Sequence, residues 1–153
     1  GPNLYNYGPG FGGAHIGQYK VVNHHLLDPE DDPIWDSPQR DLAVILAPSH
    51  GKDVVARCKC RCGIYWCRSK RKYYPVCFDE PSFRYFDDNE YYPARFQSHV
   101  LLASGFAEPG DCGGILQCPH GVIGLVTGGD GQGTVAFADI RDLLWLEDDA
   151  MEQ

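Results

Sequence analysis

Residues 108–138 read EPGDCGGILQCPHGVIGLVTGGDGQGTVAFA. Three runs in this stretch are β-branched or apolar and of strand length: Gly114 to Cys118, Val122 to Thr127 and Thr134 to Ala138. They are separated by Pro-His-Gly and by a glycine-rich turn, so the pattern predicts antiparallel strands and no long helix. Working outward, the same reading predicts strands over Tyr19 to Asn23, Asp41 to Leu46, Val54 to Arg57, Ile64 to Cys67, Tyr73 to Phe78, Phe83 to Phe86 and Phe96 to Ala103. Ten short strands with turn formers at most junctions predict an all-β barrel or sandwich. A single helix is predicted over Asp139 to Leu146, with Asp139 as its cap and Ile140, Leu143 and Leu144 as its stripe. Residues Gly1 to Gly17, rich in Gly, Tyr and Asn, read as a loosely ordered arm that becomes a strand near its end.

The chain has 153 residues with 18 Gly and 11 Pro, enough for one domain or two small lobes sharing an interface. Its formal charge is -8, and half of that comes from the terminal Glu147, Asp148, Asp149 and Glu152. The stretch from Arg57 to Lys72 is basic and contains no acid. Because the whole chain is acidic, a solvated loop is the better reading of it, and nucleic acid is not expected as a partner. The longest apolar runs, such as Leu42 to Ala47, fall far short of the roughly 20 residues of a membrane span, so a soluble monomer in a reducing compartment is expected. The chain opens Gly1-Pro2 and closes on Gln153 without an initiator Met, as if proteolysis had made both ends. A Gly-Pro opening is also what a cleaved tag leaves.

The string Pro109-Gly110-Asp111-Cys112-Gly113-Gly114 carries the chemistry. A cysteine among glycines sits on a tight turn that can lift the thiol out of the fold and aim successive backbone N–H groups at one point. That point can stabilise the oxygen of a carbonyl under attack. A thiol nucleophile needs a base, and His24 and His25 follow an apolar strand; alternation lets only one face a cleft and does not choose between them. Asp41, beside an apolar strand, is the candidate orienting acid. The chain order His, Asp, nucleophile in an all-β protein is that of chymotrypsin-like proteases.

Cys58 and Cys60, and Cys118 and His120, are two i, i+2 pairs of soft ligands. Together they make a Cys3His set suited to tetrahedral zinc with no open position, hence to a structural role. Closure of the set disfavours a zinc hydrolase. No two of the seven cysteines are three apart, which excludes Cys-x-x-Cys sites. Cys62, Cys67 and Cys77 are competing ligands, free thiols or core residues.

These residues, with Val22-Asn23-His24-His25-Leu26, Arg40-Asp41-Leu42, Glu90-Tyr91-Tyr92-Pro93, His120-Gly121-Val122-Ile123-Gly124 and Phe137-Ala138-Asp139-Ile140-Arg141-Asp142-Leu143, resemble the picornaviral 2A cysteine proteases of enteroviruses and rhinoviruses over nearly the whole chain. The resemblance implies a chymotrypsin-like two-lobe fold: an N-terminal sheet with arm and linking loop over residues 1–80, and a C-terminal six-stranded antiparallel barrel with short helix and acidic tail over 81–153. It implies His25 as base, Asp41 as acid and Cys112 as nucleophile, with structural zinc on Cys58, Cys60, Cys118 and His120. Backbone N–H groups of Cys112, Asp111 and Gly110 are expected to form the oxyanion hole, and Tyr91, Tyr92, Ala103, Ser104 and Gly105 the substrate groove. Implied substrates are the viral polyprotein at the protease's own N-terminus, before Gly-Pro, and host translation initiation scaffold proteins and nucleoporins. The implied location is the host cytoplasm, nuclear envelope or nucleus, with Gln153 left by a second viral protease. The competing reading is a non-catalytic, zinc-stabilised β domain that binds partners through residues 57–72.

Overall fold

The computed structural model describes residues 12–87 and 94–146. The strands are β1 (Ala14–Val22), β2 (Trp35–Ser37), β3 (Leu42–Lys52), β4 (Cys62–Cys67), β5 (Lys72–Cys77), β6 (Ser82–Phe86), β7 (Arg95–Ser104), β8 (Ile115–Cys118), β9 (Gly121–Gly129) and β10 (Thr134–Asp139). They form a three-stranded sheet ordered β1-β3-β2 and a seven-stranded sheet ordered β5-β4-β8-β9-β10-β7-β6, with every pairing between neighbours antiparallel. The larger sheet thus has one strand more than the six expected. Strand β4 pairs with β8 through Ile64 and Tyr65 and so carries β5 into the larger sheet.

Two cores result. Tyr65, Leu101, Leu116, Ile123, Val126, Val135 and Phe137 fill the larger sheet. Ile16, Val21, Leu42 and Val44 of the small sheet pack with Val122, Leu125, Ile140, Leu143 and Leu146 of the C-terminal half. Strand β9 serves both cores, and every residue from Val122 to Gly129 is buried. A strand covered on both faces needs no polar alternation, which is why its sequence reads as an unbroken apolar run.

Two expectations are corrected. The segment Val54 to Arg57 makes one parallel bridge, Val55 to Val122, in place of a strand; Gly121 lies beneath it, where a Cβ would sit 2.5 Å from the Val54 carbonyl oxygen. The helix predicted over Asp139 to Leu146 is absent: Asp139 ends β10 opposite Gly124, and only a 3₁₀ turn, Leu144–Leu146, follows. Backbone bonds from Leu143 to Ile140 (3.1 Å) and from Leu146 to Leu143 (3.0 Å) give a three-residue repeat. That repeat, not the helical one, puts Ile140, Leu143 and Leu146 on one buried side. No described helix is long and apolar enough to cross a membrane.

Because Leu125 is buried in the core shared by both sheets, Leu125→Ala is expected to cost about 3 kcal/mol. Tryptophan fluorescence and amide circular dichroism in urea should shift to a lower midpoint together; separate midpoints would mean that the sheets unfold independently.

Candidate active site and metal centre

Asp41 follows a 3₁₀ turn, Pro38–Arg40, and takes a left-handed backbone conformation with φ 55°, a region Asp tolerates better than most residues. Its carboxylate is almost wholly buried (1% exposed) and is held by several elements. Oδ1 accepts from the His25 backbone N–H at 2.9 Å. His25 Nδ1 lies 2.9 Å from Oδ1 and 2.8 Å from Oδ2. Oδ2 also accepts from Asn23 Nδ2 at 3.2 Å and from the Thr127 hydroxyl at 2.5 Å, with Arg95 Nη2 at 3.8 Å. Burial pushes the Asp41 pKa up, but the His25 and Thr127 bonds and the Arg95 charge more than offset it, so the group is held below the usual carboxylate range.

The two histidines separate cleanly. Both lie on the 3₁₀ turn His24–Leu26; His24 Nδ1 pairs with Asp36 at 2.6 Å, whereas His25 turns to Asp41. Arg40 does not compensate Asp41. It reaches Asp142 with two bonds, at 2.9 Å and 2.5 Å, and donates to the Asp139 carbonyl at 2.9 Å.

Cys112 is 94% covered by its surroundings (6% exposed) and follows the 3₁₀ turn Pro109–Asp111. The Asp111 carboxylate shapes this turn from within, accepting from Ser69 N–H (2.7 Å), Ser69 Oγ (2.9 Å) and Glu108 N–H (2.8 Å). Val126 O accepts from Gly113 N–H at 2.9 Å and from Asn23 Nδ2 at 3.1 Å. One carbonyl therefore ties the Cys112 turn to the residue that holds Asp41. Within this turn Asp111 N–H donates to Glu108 O at 2.8 Å and Cys112 N–H to Pro109 O at 3.3 Å.

Cys58, Cys60, Cys118 and His120 converge, with one ligand atom from each within 4.8 Å of the others. Cys58 Sγ and Cys118 Sγ are 3.6 Å apart, Cys60 Sγ and His120 Nδ1 3.6 Å, and Cys118 Sγ and His120 Nδ1 3.7 Å. Four ligands around a tetrahedral ion, with bonds of about 2.0–2.3 Å, stand roughly 3.5–3.8 Å apart, so the residues fit a metal. Crowding supports this: the hydrogen bond from Cys58 foremost, then desolvation and neighbouring sulfur charge, push the Cys60 thiol up to about 11. Arg141 braces the site by donating to the carbonyls of Cys58 (3.1 Å) and Cys60 (2.9 Å).

The remaining cysteines are accounted for. Cys62 and Cys77 oppose each other across β4 and β5 and form a disulfide, so they are not competing ligands. Cys67 is buried beside Asp111 Oδ2 (3.6 Å), and burial pushes its thiol up, which leaves it inert. Tyr91 and Tyr92 lie outside the described residues. Ala103 and Ser104 end β7 opposite Val135 and Thr134, and Gly105 N–H bonds Gly133 O at 2.9 Å. Strand β6 pairs with β7 only as far as Val100. Much of the 57–72 segment is engaged within the chain. Arg57 donates to the carbonyls of Arg141 (2.8 Å) and Leu143 (3.1 Å), Arg61 pairs with Glu80, and Lys70 and Lys72 sit over Phe106 and Tyr74.

Sequence reasoning missed Asn23, Arg95, Gln97 and Thr127 around Asp41. Their signal was faint: Gln97 and Thr127 are polar residues at positions that apolar neighbours mark as buried.

Residues 23–148 match the family model described as picornavirus core protein 2A. The chain is 53% identical over 153 residues to the genome polyprotein of human enterovirus 70 (strain J670/71), a match covering 99% of the chain and 7% of the polyprotein. Among solved structures it resembles the 2A protease of human rhinovirus C15, with TM-score 0.78 and 38% identity over 86% of this chain and 96% of that one. The solution structure of the 2A proteinase of human rhinovirus RV-C02 gives TM-score 0.72 and 37% identity over 84% and 90%. Chymotrypsin of Cellulomonas bogoriensis shares the fold, with TM-score 0.64 at 16% identity over 87% of this chain and 85% of that one.

The depressed Asp41 pKa gives an acid signature. The stability it contributes is fully present above the unfolded value of about 3.9 and is lost as pH falls through the lower folded value. Urea midpoints of the wild type should therefore exceed those of Asp41→Asn at neutral pH, and the difference should shrink below about pH 4; a constant difference would assign the effect to packing alone.

Proposed function

The chain belongs to the picornavirus core protein 2A family and is a chymotrypsin-like protease, and on that premise we propose that Cys112 is its nucleophile, His25 its base and Asp41 its orienting acid. The observation that carries this reading is the bond between His25 Nδ1 and the buried Asp41 carboxylate, on a frame that Val126 O joins to the Cys112 turn. With Nδ1–H donated to Asp41, the proton-free Nε2 is the basic nitrogen. It takes the Cys112 proton as sulfur attacks the carbonyl preceding a glycine. Gly110 N–H and Cys112 N–H receive the oxyanion. The imidazolium then protonates the leaving amine as the C–N bond breaks. Water, deprotonated by His25, releases the acid from the thioester and restores the thiol.

The substrate lies extended along the free edge of β7 beyond Val100, adding as a strand beside Ala103 to Gly105. The polyprotein junction before Gly1-Pro2 is the first substrate, and host translation initiation scaffold proteins and nucleoporins are later ones, met in the host cytoplasm and at the nuclear envelope. Zinc is the metal of the Cys3His site, held by Cys58, Cys60, Cys118 and His120. With every position filled by protein, it cross-links the loop before β4 to the β8–β9 turn and takes no part in the chemistry.

Cys112→Ala should lower cleavage of a peptide spanning an X-Gly-Pro junction by at least about a thousandfold and leave the melting temperature unchanged; retained cleavage would exclude the mechanism. Chelation should remove one zinc per chain, measured by elemental analysis. It should also lower the melting midpoint by roughly 10 °C or more, since a few kcal/mol are lost at about 2–4 °C each. Activity lost on chelation with the midpoint unchanged would instead mean a catalytic metal.

A further inference from the structure

We propose that Arg95, Gln97 and Thr127 are positioning residues, a one-way chain of hydrogen bonds that fixes the Asp41 carboxylate as the partner of His25. The inference rests on the reading of Asp41 and His25 as acid and base, and extends it to three residues on two strands that do not pair with each other.

Direction follows from donor chemistry. An arginine side chain has no acceptor, so Arg95 Nε donates to Gln97 Oε1 at 3.0 Å. That contact decides the amide orientation and leaves Gln97 Nε2 facing Thr127, to which it donates at 3.0 Å. With its oxygen occupied as acceptor, the Thr127 hydroxyl spends its single proton on Asp41 Oδ2, at 2.5 Å. No step in the sequence can be reversed while Arg95 stands at its head. Gln97 and Thr127 are fully buried, so water does not compete for either end.

The backbone is built for this chain. In the β9–β10 ladder Gly128 faces Ala136 and Val126 faces Phe137, which leaves Thr127 as the extra residue of a β-bulge. A bulge re-aims a side chain and frees a ladder carbonyl. Here the side chain is aimed at Asp41, and the Thr127 carbonyl accepts from Arg95 Nη2 at 2.6 Å. Arg95 thus grips the bulge by its backbone while it orients the bulge's hydroxyl through Gln97. The same Nη2 stands 3.8 Å from Asp41 Oδ2 and adds a fixed positive charge to the donors.

The consequence is electrostatic as well as geometric. Each donor to Asp41 disperses its charge and so moderates its hold on the His25 proton; removing one should raise the His25 pKa. The charged and titratable groups that bear on the pair are Arg95 from β7 and His24 on the same 3₁₀ turn, itself occupied by Asp36. The readout is therefore the His25 imidazole titration by NMR in a Cys112→Ala background, together with the acid limb of kcat/KM in the active enzyme.

Thr127→Val, which keeps the shape and removes the hydroxyl, should raise the His25 titration by about half to one pH unit and lower kcat about tenfold with KM unchanged. Thr127→Ser should return both to wild-type values. Gln97→Glu keeps the volume and gains a charge partner in Arg95, so it serves even if Thr127→Val fails to fold. Its acceptor-only carboxylate demands the Thr127 proton, and the His25 titration should rise at least as far. A His25 titration unmoved in both variants, or equal effects of Val and Ser at position 127, would overturn the proposal and leave a purely structural network. Asp41→Asn separates the two levels: if that variant still cleaves, the acid–base reading fails, whereas if it is inactive and His25 is unmoved in the other variants, only the donor chain fails.

Discussion

A carboxylate at 1% exposure is costly unless it is surrounded by donors; an uncompensated charge in such a place costs several kcal/mol. Asp41 meets that requirement by drawing on separate parts of the chain. Asn23 and His25 lie just after β1, Thr127 on β9, and Arg95 beyond β10 on β7. The three-stranded sheet therefore cannot settle against the larger one without bringing His25, Asp41 and the β9 bulge together. Assembly of the site and closure of the shared core around Leu42, Val44, Leu125 and Ile140 are one event, and a misassembled interface carries the penalty of a stranded charge.

Strand β9 is the mechanical centre of this arrangement. Through Val126 O it fixes the Cys112 turn and Asn23, and through its first residues it closes the β8–β9 hairpin that carries Cys118 and His120. The Cys3His group thus stands at one end of a strand whose other end holds Asp41. Arg141, pinned to Asp139 at 3.0 Å, braces the opposite ligand loop through the Cys58 and Cys60 carbonyls.

Most strands were legible because each pairs a β-rich run with a turn-forming junction. Where reading failed, the deciding partner was distant in sequence. Val54 to Arg57 has strand composition but finds only Val122 to pair with. Trp35–Ser37, short, acidic and bracketed by prolines, reads as loop yet pairs with Leu42 to Val44. The apparent helix after Asp139 rested on Leu144, which is exposed, whereas Leu146 is buried; a 3₁₀ repeat and an amphipathic helix share too many positions over eight residues to be told apart. The spacing offered the Cys58/Cys60 and Cys118/His120 pairs as ligands but left Cys62, Cys67 and Cys77 in competition, because spacing along the chain does not say which pairs the fold brings together. The choice between His24 and His25 was not legible in the spacing either, because it depends on which side of the turn Asp36 and Asp41 occupy. Cys62 and Cys77 looked like two stray thiols until the β4–β5 register placed them face to face.

Gly12 and Gly113 meet so closely that a Cβ on Gly12 would stand 2.6 Å from the Gly113 Cα, and a Cβ on Gly113 would stand 2.6 Å from the Gly12 Cα. Neither glycine can be relieved by changing the other, since each collision is with backbone and Gly113 additionally carries φ 94°. The pair is thus a lock with two keys, one in the segment that leads into β1 and one in the turn that bears the Cys112 thiol, and a side chain is barred at either site whatever stands at its counterpart.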